Sequence, residues 1–171
     1  MYSVRRLTTS DRSCFLELRQ TALTGNPDDF LVTAAEERAI PRLSIEDALE
    51  RPDDRNFFLG AFAGEPTMLV AIAGLITSNL SKIRHSGRLT SLFVHPAHRR
   101  RGIARILVQR LLDQAVSAGL DSVRLEVVAD NRDAVSLYES LGFVAYGREP
   151  EAYRMGERAW DLLLMTRDSR T

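Results

Sequence analysis

The stretch from Gly102 to Ala118 constrains the fold most. Its apolar residues Ile103, Leu107, Leu111 and Ala115 recur every four positions, and Ala104, Val108 and Leu112 widen the stripe. That spacing predicts an amphipathic helix, and Gly119 supplies its C-terminal stop. On one side lies Arg88 to Val94, which reads as a strand ended by Pro96; on the other lies Ser122 to Val128, an apolar strand. Two strands joined through a helix run parallel. The chain therefore builds a sheet with at least one parallel pair and a helix packed on its face, in the α/β or α+β class.

The remaining segments surround this unit. Val4 to Leu7 reads as a short strand. Ser10 or Asp11 caps a helix running to about Leu23, which Gly25-Asn26-Pro27 breaks. A second helix starts at Ser44, where Ser44-x-x-Asp47 resembles a capping box, and stops before Pro52. Phe57 to Ala63 and Leu69 to Thr77 form a hairpin around Gly64-Glu65-Pro66. Asn131 to Leu141 is a short helix with Ala134, Leu137, Tyr138 and Leu141 on one face, closed by Gly142. Val144 to Arg148 and Trp160 to Thr166 are two late strands, with Trp160 expected in the core. The order is βααβββαβαββ, a mixed sheet of six or seven strands in a single domain over residues 1–171. No repeat, low-complexity tract or long linker divides the chain.

Composition removes several function classes. Lys+Arg and Asp+Glu are both 23, so 23 − 23 leaves no net charge. A neutral chain has no global field to attract nucleic acid or an acidic membrane. The longest apolar run, Met68 to Ile76, has nine residues, against about 20 for a membrane span. No apolar signal core follows the N-terminus, so the expected location is cytoplasmic. The one cysteine, Cys14, can form no intrachain disulfide and reads as packed on the first helix. No His, Cys and Asp spacing suggests zinc, and the G-x-S-x-G of a serine hydrolase is absent.

The informative stretch for chemistry is Val94-His95-Pro96-Ala97-His98-Arg99-Arg100-Arg101-Gly102-Ile103-Ala104-Arg105. A strand ends, a polar loop follows, and a helix opens beside four arginines. Cations at a helix N-terminus oppose the macrodipole at roughly 0.3–1 kcal/mol each. Free backbone N–H groups point outward at the same place, which suits a phosphate. Charge alone supports two readings, a phosphate cradle or a solvated basic loop. Nucleic-acid binding lacks interleaved aromatics, and neither a P-loop nor a dinucleotide fingerprint is present. Of the histidines, His85 reads as a loop residue, and His95 and His98 as solvated or near phosphate.

Arg99-x-x-Gly102-x-Ala104 between strand and helix resembles the signature of the GNAT family of N-acetyltransferases. Leu125-Glu126-Val127, Asn131 and Ala134-x-x-Leu137-Tyr138-x-x-x-Gly142-Phe143 resemble its second half. The clear resemblance covers about residues 88–148. It implies the GNAT fold, with the parallel middle strands splayed, and acetyl-CoA as acyl-donor cosubstrate. Amides from Arg99, Arg100, Arg101, Gly102, Ile103 and Ala104, with Arg105 nearby, would bind the pyrophosphate. The pantetheine arm would lie between Leu92-Phe93-Val94 and the strand carrying Glu126, pairing with exposed main chain. Asn131 would contact the arm and Tyr138 would sit near the sulfur.

The implied reaction is acetyl transfer to a primary amine, on a small molecule or a peptide, by direct attack in a ternary complex. A lysine-like amine of pKa about 10.4 holds its proton at pH 7 by about 4.6 kcal/mol, so a base must remove it. The leaving thiolate needs an acid, for which Tyr138 is the candidate. A main-chain N–H at the end of Leu92–Val94 suits the developing oxyanion. Glu126 is the candidate base, because a carboxylate between apolar Leu125 and Val127 needs a reason. Without the resemblance, Tyr138 reads as a core tyrosine and Glu126 as a partner of Arg124 or a helix residue. The alternative function is a noncatalytic acyl-CoA-binding domain of the same fold. The acceptor wall is expected from about Gly25–Leu43 and Pro150–Ala159, both of mixed charge. The sequence does not fix the assembly state, although dimers are common among proteins it resembles.

Overall fold

The structure, a computed structural model, describes residues 2–43, 46–64 and 67–169. The expected capping residue Ser44 and the turn residues Glu65 and Pro66 lie outside the described residues. Seven strands form one sheet: β1 (Ser3–Arg6), β2 (Phe57–Ala63), β3 (Met68–Thr77), β4 (Ser86–Val94), β5 (Ser122–Val128), β6 (Val144–Met155) and β7 (Arg158–Asp168). Their spatial order is β1-β2-β3-β4-β5-β7-β6. The β4–β5 pair is parallel, as the intervening helix requires, and its neighbours are antiparallel.

Helices cover both faces. α4 (Ile103–Ser117) packs Leu107, Leu111 and Ala115 against Leu75, Leu89, Val123 and Leu125. It closes as the sequence predicts. Gly119 takes φ +69, its N–H donates to Val116 O, and Leu120 N–H donates to Ala115 O, a paired left-handed cap. α5 (Arg132–Ser140) ends the same way through Gly142 and Phe143. On the opposite face, α1 (Arg12–Gly25) packs Phe15, Leu18 and Ala22 against Phe58, Phe62, Ile72 and Phe93.

Between β1 and β2 the described residues form three α-helices rather than the two expected. The added element is α2 (Ala34–Ala39), opened by a capping box in which Glu36 N–H donates to Thr33 Oγ1 and Thr33 N–H donates to Glu36 Oε2. Thr33-x-x-Glu36 is visible in the sequence, but the helix is too short to show an apolar period. The segment expected to form a full second helix is a single turn, α3 (Asp47–Glu50). β6 and β7 run longer than expected, through Pro150, because β6 is an edge strand and its ladder is interrupted between Glu149 and Tyr153. A proline is tolerated at such an edge bulge. Trp160 is half-buried rather than in the core, with the Arg158 guanidinium 4.7 Å from its ring centre. Among the described residues no helix is long and apolar enough to cross a membrane.

Candidate active site

β4 and β5 pair through three rungs, Ser86 with Ser122, Gly87 with Val123 and Arg88 with Arg124. Gly87 permits this close vertex: a Cβ there would meet Leu75 Cδ1 at 2.7 Å and Leu120 Cδ1 at 2.9 Å. Beyond Arg88 the strands diverge around a cleft of about 960 Å³. Main chain of Leu92–Val94 and of the Glu126 segment lines this fork, as the sequence reading placed them.

A bulge shapes the β4 wall. Ser91 and Leu92 together face Ala73, between the Thr90–Gly74 and Phe93–Ile72 pairs. Ser91 takes φ +55, a left-handed conformation that costs a non-glycine residue about 1–3 kcal/mol. The extra residue inverts the facing of the strand. Leu89 lies in the α4 core and Phe93 in the α1 core, although residues four apart on a regular strand share a face. One main-chain residue thereby leaves the β3–β4 ladder beside the fork.

At the cleft's far end the chain turns through Pro96–His98 into α4. Arg100 takes φ +59 and Gly102 φ +75. Among the described residues, the N–H groups of residues 100–105 have no hydrogen-bond partner. Alternating left- and right-handed residues with successive free amides form an anion-binding concavity, here continuous with a helix N-terminus. A Cβ on Gly102 would meet nothing within 4 Å, so the glycine serves its dihedral and the space above it is open. The cradle begins at Arg100, because the Arg99 N–H donates to Pro96 O.

The arginine side chains brace this turn. Arg99 Nε donates to Val94 O at 3.1 Å and Nη2 to Asn26 Oδ1 at 2.7 Å. Arg101 reaches Tyr2 Oη at 3.1 Å and Arg105 reaches Ser140 Oγ at 2.6 Å. Arg100 pairs with Asp133 at 3.1 Å, both strongly exposed. His98 meets Tyr2 Oη at 3.1 Å, and His85 is exposed in its loop. Cys14 is half-buried, and burial pushes its thiol up.

Asn131 caps α5, its Oδ1 accepting from Ala134 N–H at 3.1 Å, while its Nδ2 donates to Asp29 Oδ1 at 2.9 Å. Asp29 follows α1 and lines the cleft; burial pushes its carboxyl up, against the bond from Asn131. Tyr138 is buried, edge-on to Phe143 at 5.7 Å, and also lines the cleft. Burial, then the nearby Asp29 charge, raises its hydroxyl well above the ordinary tyrosine value. Tyr138 is thus both a core tyrosine and a cleft tyrosine.

Glu126 projects from β5 into the cleft. Its partner is neither Arg124 nor a helix residue: Arg88 Nη2 donates to Glu126 Oε2 at 2.8 Å, diagonally across the last rung of the fork. Arg88 escaped sequence reasoning as a site residue. Its signal was a second charged residue at the outward position of a strand, beside apolar Leu89. Arg19 on α1 also escaped it. Its Nε donates to both Glu37 oxygens at 2.7 Å and its Nη1 to Ser91 Oγ at 3.0 Å, with 12% of Arg19 and 3% of Glu37 exposed. Tyr153 on β6 also lines the cleft; burial and the Glu126 charge raise its hydroxyl, and Arg88 opposes them.

Residues 15–143 match the model of the acetyltransferase (GNAT) family. The chain belongs to the GNAT family. An N-acetyltransferase of Methanocaldococcus jannaschii is 30% identical over 142 residues, 83% of this chain and 60% of that protein. The L-amino acid N-acyltransferase MnaT of Escherichia coli is 30% identical over 111 residues, 60% of this chain and 64% of that protein. The chain thus spans less than two thirds of the length of either relative. A Salmonella typhimurium acetyltransferase solved with its cofactor acetyl-CoA superposes with a TM-score of 0.80 at 21% identity, over 99% of this chain and 94% of that one. The fork, the bulge and the amide-lined turn are therefore parts of a GNAT fold.

Proposed function

We propose that this GNAT chain transfers the acetyl group of acetyl-CoA to a primary amine, both bound together in the forked cleft. The observation that carries the proposal is the run of free N–H groups at residues 100–105, opening onto strands that part after three rungs. A diphosphate fits those donors without displacing a side chain, since the space above Gly102 is open. The edge of Leu92–Val94 that faces β5, beyond the last β4–β5 rung at Arg88, matches the amide-bearing arm of CoA. Asn131 contacts that arm once its amide leaves Asp29. Acetyl-CoA supplies an activated acetyl thioester and a thiolate leaving group.

The chain's own residues then manage two protons. Glu126, with Oε1 unengaged, accepts a proton from the acceptor ammonium. The nitrogen forms its bond to the acetyl carbon as the carbon–sulfur bond breaks. Tyr138, held neutral by burial, donates its hydroxyl proton to the departing sulfur, and the phenolate so formed takes the second nitrogen proton, which leaves a neutral amide, a thiol and a neutral tyrosine. An N–H at the β4 bulge faces the developing negative oxygen.

A thiol-release assay over a panel of amines, amino acids, polyamines and peptides tests the proposal. Amine-dependent release with saturable acetyl-CoA binding is expected. Binding without release for any amine would favour the noncatalytic acyl-CoA-binding alternative, and no saturable binding at millimolar acetyl-CoA would end both.

A further inference from the structure

The acceptor side of the cleft has an uneven distribution of engaged charge. Arg19 is committed: Nε and Nη2 engage Glu37 and Nη1 engages Ser91. Arg88 is not. It holds Glu126 by one contact, Nη2 to Oε2 at 2.8 Å, and its Nε and Nη1 have no partner among the described residues. Glu126 Oε1 is likewise unengaged. Both side chains are open, 61% and 38% exposed, and both line the cleft at the fork's vertex. Phe30, Leu31 and Val32 of the α1–α2 connection line the same cleft, with Leu31 77% exposed. A large apolar side chain that exposed, at the rim of a charged floor, is suited to contact an apolar ligand.

We infer that the acceptor is a free α-amino acid with an apolar side chain, bound as a zwitterion. This rests on the acetyl-transfer reading above. Glu126 Oε1 receives the ammonium, Arg88 offers its free guanidinium edge to the carboxylate, and the side chain packs on Phe30, Leu31 and Val32. The floor presents an acceptor and a donor set side by side, which matches two opposite charges flanking one carbon. A simple amine would engage Glu126 alone and make no use of the free Arg88 donors. A site built for a carboxylate discriminates strongly against a ligand that lacks it.

The test compares leucine, leucinamide, isoamylamine and a leucine-headed dipeptide by thiol release, with parent, Arg88→Ala and Arg88→Lys proteins. Calorimetric titration of leucine into CoA-loaded protein runs alongside. In the parent, kcat/KM for leucine should exceed that for isoamylamine at least about tenfold, one charge-assisted hydrogen bond being worth about 1.5–3 kcal/mol. Arg88→Ala should bring that ratio close to one, chiefly through KM, and abolish the leucine heat; Arg88→Lys should restore part of both. A ratio unchanged in Arg88→Ala, or a preference for the amide or dipeptide, would overturn the inference and leave acetyl transfer standing. Thiol release with no amine at all, while leucine still binds through Arg88, would instead overturn the acetyl-transfer reading.

Discussion

The two halves of the cleft, the turn proposed for the cofactor and the side of the fork proposed for the acceptor, are built from different materials. Between Val94 and α4 the groups free to bind are backbone amides, and the arginine side chains hold the turn in place. Across the fork, the cleft presents side chains in ion pairs: Arg19 with Glu37 and Arg88 with Glu126. A main-chain site recognises a feature shared by many ligands and is set by dihedral angles. A side-chain site recognises a particular partner and is set by which distant residues the fold brings together.

Four substitutions probe that contrast, from the largest expected effect down. Arg19→Ala strands the buried Glu37 carboxylate, and unfolding in urea should show a loss of about 3–5 kcal/mol. If stability drops by less than about 1 kcal/mol, the pair does not anchor the acceptor wall. Tyr138→Phe should lower kcat about 100-fold while the KM for acetyl-CoA moves less than about threefold; equal changes in both would mean the hydroxyl serves binding instead. Gly102→Ala forces a Cβ into the left-handed region at about 1–2 kcal/mol and should weaken acetyl-CoA binding several-fold in a titration. Arg100→Ala removes an exposed pair with Asp133 and should change stability by less than about 0.5 kcal/mol. Its effect on acetyl-CoA binding should be smaller than that of Gly102→Ala and should vanish at high salt. If Arg100→Ala weakens binding more, side chains carry the cofactor half as well.

The same contrast explains what could be read from the sequence. Strand, turn and helix around Gly102, and the glycine caps at Gly119 and Gly142, are local rules written in neighbouring residues, and their positions matched within a residue or two. Tyr138 and Asn131 were placed at the cleft by the family resemblance, whereas periodicity alone put Tyr138 on the core face, and its side chain lies in both. The Arg19–Glu37–Ser91 contacts join residues 18 and 72 positions apart, and no local pattern announces them. Glu126 was legible as a charge among apolar neighbours, but its partner was not, because Arg88 reaches it only through the parallel register of β4 and β5. The α2 helix was missed because six residues give no period to detect.

Arg19 grips Glu37 with one edge of its guanidinium and Ser91 with another. One cation therefore ties the second helix to the kink in β4 beside the fork, like a bolt through two plates. Reshaping this side of the cleft has to carry the three residues across together. Freedom to redesign lies outside that bolt, in the short connection after Asn26 and at the tip of the last hairpin.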